Sequence, residues 1–147
     1  MSMTDETAVL LITNSARRCK DNMETAVKTQ KRVLVIDDDY YICNSISQIL
    51  KKEDMLVDYE NNASDGVKRA IAERYEVIIV DVHLPGMDGV SLLPVLKELA
   101  PSSRVILTSG DTLLDVLNEH SNIEIENFIQ KPIDKEKLLK AIGVLTP

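Results

Sequence analysis

Residues 77–89 read VIIVDVHLPGMDG, four strand-forming apolar residues that run directly into a carboxylate, Asp81, and then into a loop carrying Pro85, Gly86 and Gly89. Three other segments end in the same abrupt way. VLVI (33–36) runs into Asp37, Asp38 and Asp39, RVILTS (104–109) closes on Thr108 and Ser109 before Gly110, and ENFIQ (126–130) gives way to Lys131 and Pro132. If these ends meet, the meeting place holds carboxylates, a hydroxyl and an ammonium. Carboxylates a few ångströms apart repel, and one must hold a proton unless a cation neutralises them. A hard divalent ion with oxygen ligands is the usual solution, and a site with few carboxylates and open positions suits Mg²⁺. A lysine point charge and a hydroxyl donor fit around an oxyanion such as phosphate. Asp81, held on a strand tip, suits a nucleophile that attacks phosphorus. The chemistry implied is the making and breaking of an aspartyl phosphate, with Mg²⁺ and Lys131 balancing charge.

Each piece alone has a plainer reading. The acidic run 37–39 could be a solvated strand end, Thr108 an ordinary strand residue, Lys131–Pro132 a turn, and Asp81 a cap for its loop. Four strand ends supplying complementary groups to one place is what favours the chemical reading.

The elements that must bring them together alternate along the chain. Strand patterns fall at 33–36, 55–59 (MLVDY), 77–80, 104–109 and 126–130. VLVI and VIIV are apolar throughout, as in parallel strands covered on both faces. Helical spacing joins Ile42, Ile46, Ile49 and Leu50, then Val67, Ala70 and Ile71 with Ser64 or Asp65 as caps. It continues in Leu92, Leu93, Leu96 and Leu99, in Leu113, Val116 and Leu117, and in Leu138, Ala141, Ile142 and Leu145 with Asp134 as cap. Pro94 predicts a third helix that starts late or bends. Five βα units indicate an open, doubly wound α/β sheet, whose ligands bind at the carboxyl ends of the strands. The second strand ends in Glu60, Asn61 and Asn62, which offer no evident chemistry.

The 147 residues suit one domain, and their net charge of −7 falls entirely within residues 31–147, because the first thirty hold four bases and four acids. Such an acidic domain without a basic run is a poor direct binder of nucleic acid. The apolar stretch AVLLI (8–12) follows Asp5 and Glu6, unlike a secretory signal, and no run is long enough to span a bilayer. Cys19 and Cys43 lack metal or redox spacing and read as free thiols of a reducing cytoplasm.

VLVIDDD, VIIVDVHLPGMDG, VILTSGD and NFIQKPID, in this order and spacing, resemble the receiver domain of two-component response regulators over residues 31 to about 145. The resemblance implies a flavodoxin-like (βα)5 fold with strand order 2-1-3-4-5. It implies Asp81 as phosphoacceptor, Asp38 and Asp81 as side-chain ligands of Mg²⁺, the His83 backbone carbonyl as a third ligand, and Asp37 acting through water. Thr108 and Lys131 would contact phosphoryl oxygens. Thr108 and Phe128 would move together as a switch and remodel the face of the fourth helix, fifth strand and fifth helix, where a downstream protein target binds. The Lys131–Pro132 bond would be cis. Implied partners are a histidine kinase or a histidine phosphotransfer protein, met largely through the first helix around Tyr40 to Lys52, and a phosphorylation-dependent dimer is compatible with the family. Such a domain is a signalling switch that catalyses its own phosphorylation and dephosphorylation rather than a turnover enzyme. His83 and Gly110 flank the site and would tune the phosphoryl lifetime. His83 is not expected to act as a base, because strand-like alternation turns its side chain outward. His120 reads as a surface residue without a role.

Two rivals stand beside this reading. Asp37 and Asp39 match the DxD of haloacid-dehalogenase-type phosphatases, with Asp37 as nucleophile, but Tyr41 and the lack of a later acidic pair fit that motif poorly. A receiver that only binds partners, unphosphorylated, is the other, although every chemical position is filled. Residues 1–30 lie outside the receiver pattern as a tail or partly helical extension, with Met23 as an alternative start. The chain reaches Pro147 directly after the last helical pattern, so either output through protein binding or onward relay is expected, or the chain is a fragment of a longer regulator.

Overall fold

The computed structural model describes residues 30–144. Cys19, Leu145 and the alternative start at Met23 lie outside the described residues.

Five parallel strands form the sheet: β1 (Arg32–Ile36), β2 (Leu56–Glu60), β3 (Val77–Asp81), β4 (Arg104–Ser109) and β5 (Phe128–Gln130), in the order β2-β1-β3-β4-β5. They alternate with α1 (Tyr40–Lys52), α2 (Ala63–Ala72), α3 (Leu92–Leu99), α4 (Leu113–Glu119) and α5 (Lys135–Ile142). This is the doubly wound flavodoxin-like order, with β1 and β3 adjacent at its centre.

The two-residue period of the strands divides the core. Leu34, Ile36, Ile78, Val80 and Leu107 pack on one side with Ala63 and Ala70 of α2, Leu92, Leu93 and Leu96 of α3, and Val116 of α4. Val33, Val35, Val77, Ile79 and Ile106 pack on the other with Cys43, Ile46 and Leu50 of α1 and Leu138, Leu139 and Ile142 of α5. Burying each such aliphatic side chain stabilises the fold by about 1.5–3 kcal/mol before ordering entropy is subtracted. β1 and β3 are covered on both faces, which is why they read as unbroken apolar runs.

Several local expectations shift. β2 begins at Leu56 and ends at Glu60, one residue later than its apolar pattern, because this edge strand is only half-covered. β5 is only Phe128–Gln130, with Glu126 and Asn127 preceding it. The cap of α2 is Asn62, not Ser64 or Asp65: its side-chain oxygen accepts from the Asp65 N–H at 2.9 Å, and its side-chain Nδ2 donates to the Asp65 carboxylate at 2.8 Å. Ile71 and Leu99 fall off their buried stripes, at 58% and 46% exposure. α3 does start late, after a 3-10 turn over Gly89–Ser91, so Pro94 sits in its first turn, where an N–H would be unused. Asp134 caps α5 through the Lys137 N–H at 2.8 Å.

Candidate functional site

The carboxyl ends of β1, β3, β4 and β5 open on one edge of the sheet, and the sequence-predicted residues collect there. Asp81 is the last residue of β3 and Asp37 follows β1 directly. Parallel pairing runs from Val33 opposite Val77 to Ile36 opposite Val80, so the two carboxylates come from adjacent strand ends. Both are buried, Asp37 at 3% exposure and Asp81 at 5%, whereas Asp38 is exposed. Oxygen atoms of Asp37, Asp38 and Asp81 lie within 4.8 Å of one another. Such a cluster of hard oxygen donors with one solvent-facing member fits a divalent cation.

Asp39 does not join them. Its Oδ1 accepts from the N–H groups of Tyr41 at 2.9 Å and Ile42 at 3.4 Å, so it is the N-cap of α1. The acidic run therefore divides: two residues face the cluster and the third starts a helix, which removes the DxD pairing of Asp37 with Asp39.

Lys131 reaches the cluster from the end of β5. Its Nζ lies 3.1 Å from Asp37 Oδ2 and 3.4 Å from Asp81 Oδ2. The strand ends are tied by backbone bonds, Lys131 N–H to the Ser109 carbonyl at 2.7 Å and Val82 N–H to the Thr108 carbonyl at 2.9 Å. Thr108 is 1% exposed and pairs in register with Asp81, so a hydroxyl-bearing residue adjoins the carboxylate on the next strand. The Lys131–Pro132 peptide bond is cis. Phe128, half-buried, opens β5 opposite Leu107 and packs against the layer that contains α2, α3 and α4.

Burial raises the pKa of Asp37, and the Asp81 charge adds to this, while the Asp39 N–H and Lys131 pull the other way. Burial alone would lower Lys131; its hydrogen bond to Asp37 and the charges of both carboxylates outweigh that and raise it. One ammonium thus faces two buried carboxylates, leaving a net negative site that favours a cation.

The loop after Asp81 is built tightly. His83–Leu84 and Met87–Asp88 form a two-residue hairpin closed by Pro85 and by Gly86 at φ 71°, a conformation that favours glycine. Gly89 donates to the Val82 carbonyl at 2.7 Å, and a Cβ at Gly89 would overlap the Asp81 carbonyl oxygen. The His83 N–H lies 3.3 Å from Asp81 Oδ1, and its side chain is 61% exposed. That imidazole is not idle: Nε2 meets Asp111 Oδ2 at 2.8 Å, bridging the loops after β3 and β4 across the rim. Asp111 went unnoticed in the sequence, where nothing marks its distant partner. Cys43 lies behind the site, its thiol 3.4 Å from the Asp37 carbonyl and pushed up to about 11 by burial and the nearby carboxylates.

His120 corrects an expectation. Rather than a free surface group it is only 16% exposed in its side chain, with Nε2 on Asp88 Oδ2 and Nδ1 3.0 Å from the Val116 carbonyl. Its partner stands 32 residues away, beyond the reach of local pattern.

Among the described residues no helix is long and apolar enough to cross a membrane. Residues 33–143 match the response regulator receiver domain family. Over 115 residues the chain is 30% identical to the chemotaxis protein CheY of Treponema pallidum, covering 76% of this chain and 80% of that one. A CheY-like receiver domain protein from Methanospirillum hungatei superimposes with a TM-score of 0.71 at 30% identity, over 79% of this chain and 93% of the other. A response regulator from Burkholderia pseudomallei, solved with a phosphorylated aspartic acid, a calcium ion and citrate, gives 0.70 at 29% identity over 78% and 67%. A match spanning most of the chain, joined to this sheet order and these strand-end acids, assigns the chain to the response regulator receiver domain family.

Proposed function

We propose that this chain is a phosphorylation-controlled switch that accepts a phosphoryl group on Asp81. The observation that carries the reading is a nearly buried Asp81 carboxylate, fixed at the tip of the central strand, with Lys131 Nζ 3.4 Å away and Asp37 and Asp38 alongside. A carboxylate oxygen of Asp81 bonds to phosphorus as the bond from phosphorus to a donor imidazole nitrogen breaks, and the freed electron pair stays on that nitrogen. Lys131 holds a phosphoryl oxygen by charge and Thr108 holds another by its hydroxyl. In the hydrolysis that ends the signal, water attacks phosphorus, the Asp81 carboxylate leaves with its electron pair, and the proton lost by the water passes to solvent as inorganic phosphate departs. Asp37, Asp38, Asp81 and the His83 carbonyl would hold Mg²⁺, which neutralises charge on the phosphoryl oxygens.

The donor is a histidine kinase or a histidine phosphotransfer protein. Capture of phosphoryl oxygens by Thr108 draws Phe128 with it and shifts the population of α4 relative to β5 and α5. A groove of about 550 Å³ on that face, lined by Leu113, Phe128, Ile129, Lys137 and Ala141, supports it as the surface read by a protein target or a second copy. Residues 31–147 form this receiver and residues 1–30 an extension to it, in a protein that works in the cytoplasm without binding nucleic acid directly.

The test is Mg²⁺-dependent labelling with acetyl phosphate followed by peptide mass spectrometry. Label on Asp81 is expected; label on Asp37 would mean the phosphatase chemistry instead. Mg²⁺ is also expected to stabilise the fold. At free ion one hundred times its Kd the gain is about 2.7 kcal/mol, read by chemical denaturation, and Asp38→Asn weakens it. A denaturation midpoint indifferent to Mg²⁺ would remove the metal from the reading.

A further inference from the structure

His120 closes a side-chain circuit that reaches back to Asp81. Its backbone caps the C-terminus of α4, its Nδ1 lies 3.0 Å from the Val116 carbonyl, and its Nε2 meets Asp88 Oδ2. A carbonyl oxygen only accepts, and so does an ionised carboxylate, so both ring nitrogens must carry a proton. The geometry therefore specifies an imidazolium. Asp88 is engaged on its other oxygen too: Oδ1 accepts from the Val90 N–H at 2.9 Å and starts the turn into α3. Asp88 pairs across the hairpin with His83, and the next residue, Gly89, packs on the Asp81 carbonyl. The N-terminal end of α4 meets the site as well, since Thr112 follows Asp111, whose N–H donates to Ser109 Oγ at 3.0 Å. α4 is thus tied to the site at both ends, near its start through Asp111, which also meets His83 Nε2 at 2.8 Å, and at its end through the imidazole of His120.

We propose that His120 is a positioning residue, whose imidazolium clasps Asp88 and so fixes the loop framing Asp81 against α4, making phosphoryl acceptance at Asp81 depend on the protonation of a residue outside the site. The inference rests on Asp81 being the phosphoacceptor. The charged groups facing the ring are Asp88 from the hairpin and Glu119 from α4. The hydrogen bond to the Val116 carbonyl, then that to Asp88, raise its pKa above the ordinary 6.5. A raised histidine contributes its full stabilisation below the unfolded value and loses it as pH climbs through the folded one. The clasp is closed below the ordinary histidine value and opens as pH climbs through the raised one.

The experiment uses the full chain, its His120→Gln variant and Asp88→Asn. Phosphoryl incorporation from acetyl phosphate is followed with Mg²⁺ at several pH values, and each wild-type rate is divided by the variant rate, which cancels the pH dependence of the reagent. The ratio for His120→Gln is expected to be about threefold or more near pH 6 and to approach one near pH 9, the size of effect that coupling between neighbouring elements commonly reaches. In parallel, NMR follows the His120 ring and the backbone amides of residues 87–90, around Asp88 and past His83 and Pro85. Those amides are expected to titrate with the His120 midpoint in the wild type and to lose that inflection in His120→Gln, and the midpoint is expected to fall in Asp88→Asn. A rate ratio flat with pH would reduce His120 to a structural role and overturn the proposal, as would amides that ignore its titration. Absence of any labelling in a wild type whose amides do follow His120 would instead overturn Asp81 as acceptor and leave the clasp standing.

Discussion

Asp81→Asn is expected to take up no phosphoryl group from acetyl phosphate under conditions that label the wild type, and to unfold no more easily. The two expectations come from the same geometry. A carboxamide keeps the shape of the side chain but lacks the nucleophilic oxygen, so chemistry stops while packing survives. Asp81 stands beside a second buried carboxylate, Asp37, and both share one ammonium. Removing one charge relieves a repulsion and leaves the 3.1 Å pair between Lys131 and Asp37 intact. Two unit charges 4 Å apart exchange about 4 kcal/mol at an effective dielectric near 20, and Lys131 already offsets much of that, so the net gain is about 1–2 kcal/mol in Mg²⁺-free buffer. Intact mass and a denaturation curve decide it together. Retained label would move the acceptor elsewhere, and a clear loss of stability would recast Asp81 as a structural acceptor for the His83 N–H.

Lys131→Met carries the opposite pair of consequences. Two carboxylates that are 2% and 7% exposed in their side chains lose their ammonium and gain an apolar neighbour. Breaking a buried pair by deleting one partner costs about 3–5 kcal/mol, an upper bound here because Asp37 can take up a proton. The pH dependence has a definite sign. Asp37 is already raised above its ordinary 3.8, so the folded state holds its proton more tightly than the unfolded state. Stability therefore falls as pH climbs above the ordinary carboxylate range, and the variant steepens that fall. Phosphoryl incorporation is expected to drop about 10²–10³-fold, the usual effect of removing one preorganised contact to developing charge. Denaturation at about pH 5 and pH 8 without Mg²⁺, beside labelling with it, measures both. Equal losses of stability at the two pH values would mean that Asp37 and Asp81 do not compete for Lys131.

How far the sequence reached depended on whether the deciding contact was local. VLVI and VIIV lie within β1 and β3 because strands covered on both faces read as apolar runs, and RVILTS coincides with β4, where the apolar run gives way to the polar strand end. The residues gathered at the site's edge were placed there by the sequence for a related reason: each stands at or just past the end of a strand, and parallel strands deliver their ends to one edge. The edge strand β2 slipped by a residue because half-covered strands admit Asp58 and Glu60. The α2 cap was misplaced because Asn62, Ser64 and Asp65 are all competent caps, and the backbone direction arriving from β2 selects among them. The ties of His83 to Asp111 and of His120 to Asp88 had no signature at all. Loops facing each other across the mouth of a site are set by the whole fold, and no residue in either loop announces its partner.

Of the seven residues of α4, only Val116 is buried. Apart from the ties at its two ends, such a helix has little apolar burial to lose. Withdrawing a buried valine costs about 1.5–3 kcal/mol, and one hydrogen bond to a charged group is worth about the same. The single new contact that the proposed switch makes at the end of β4 would be of the same size. On the proposed switch, two seats separated by so little free energy would both be occupied at rest, the minor one at about 0.1–10%. The unphosphorylated protein would then already sample the arrangement read at that face, and the signal would be a change in how often.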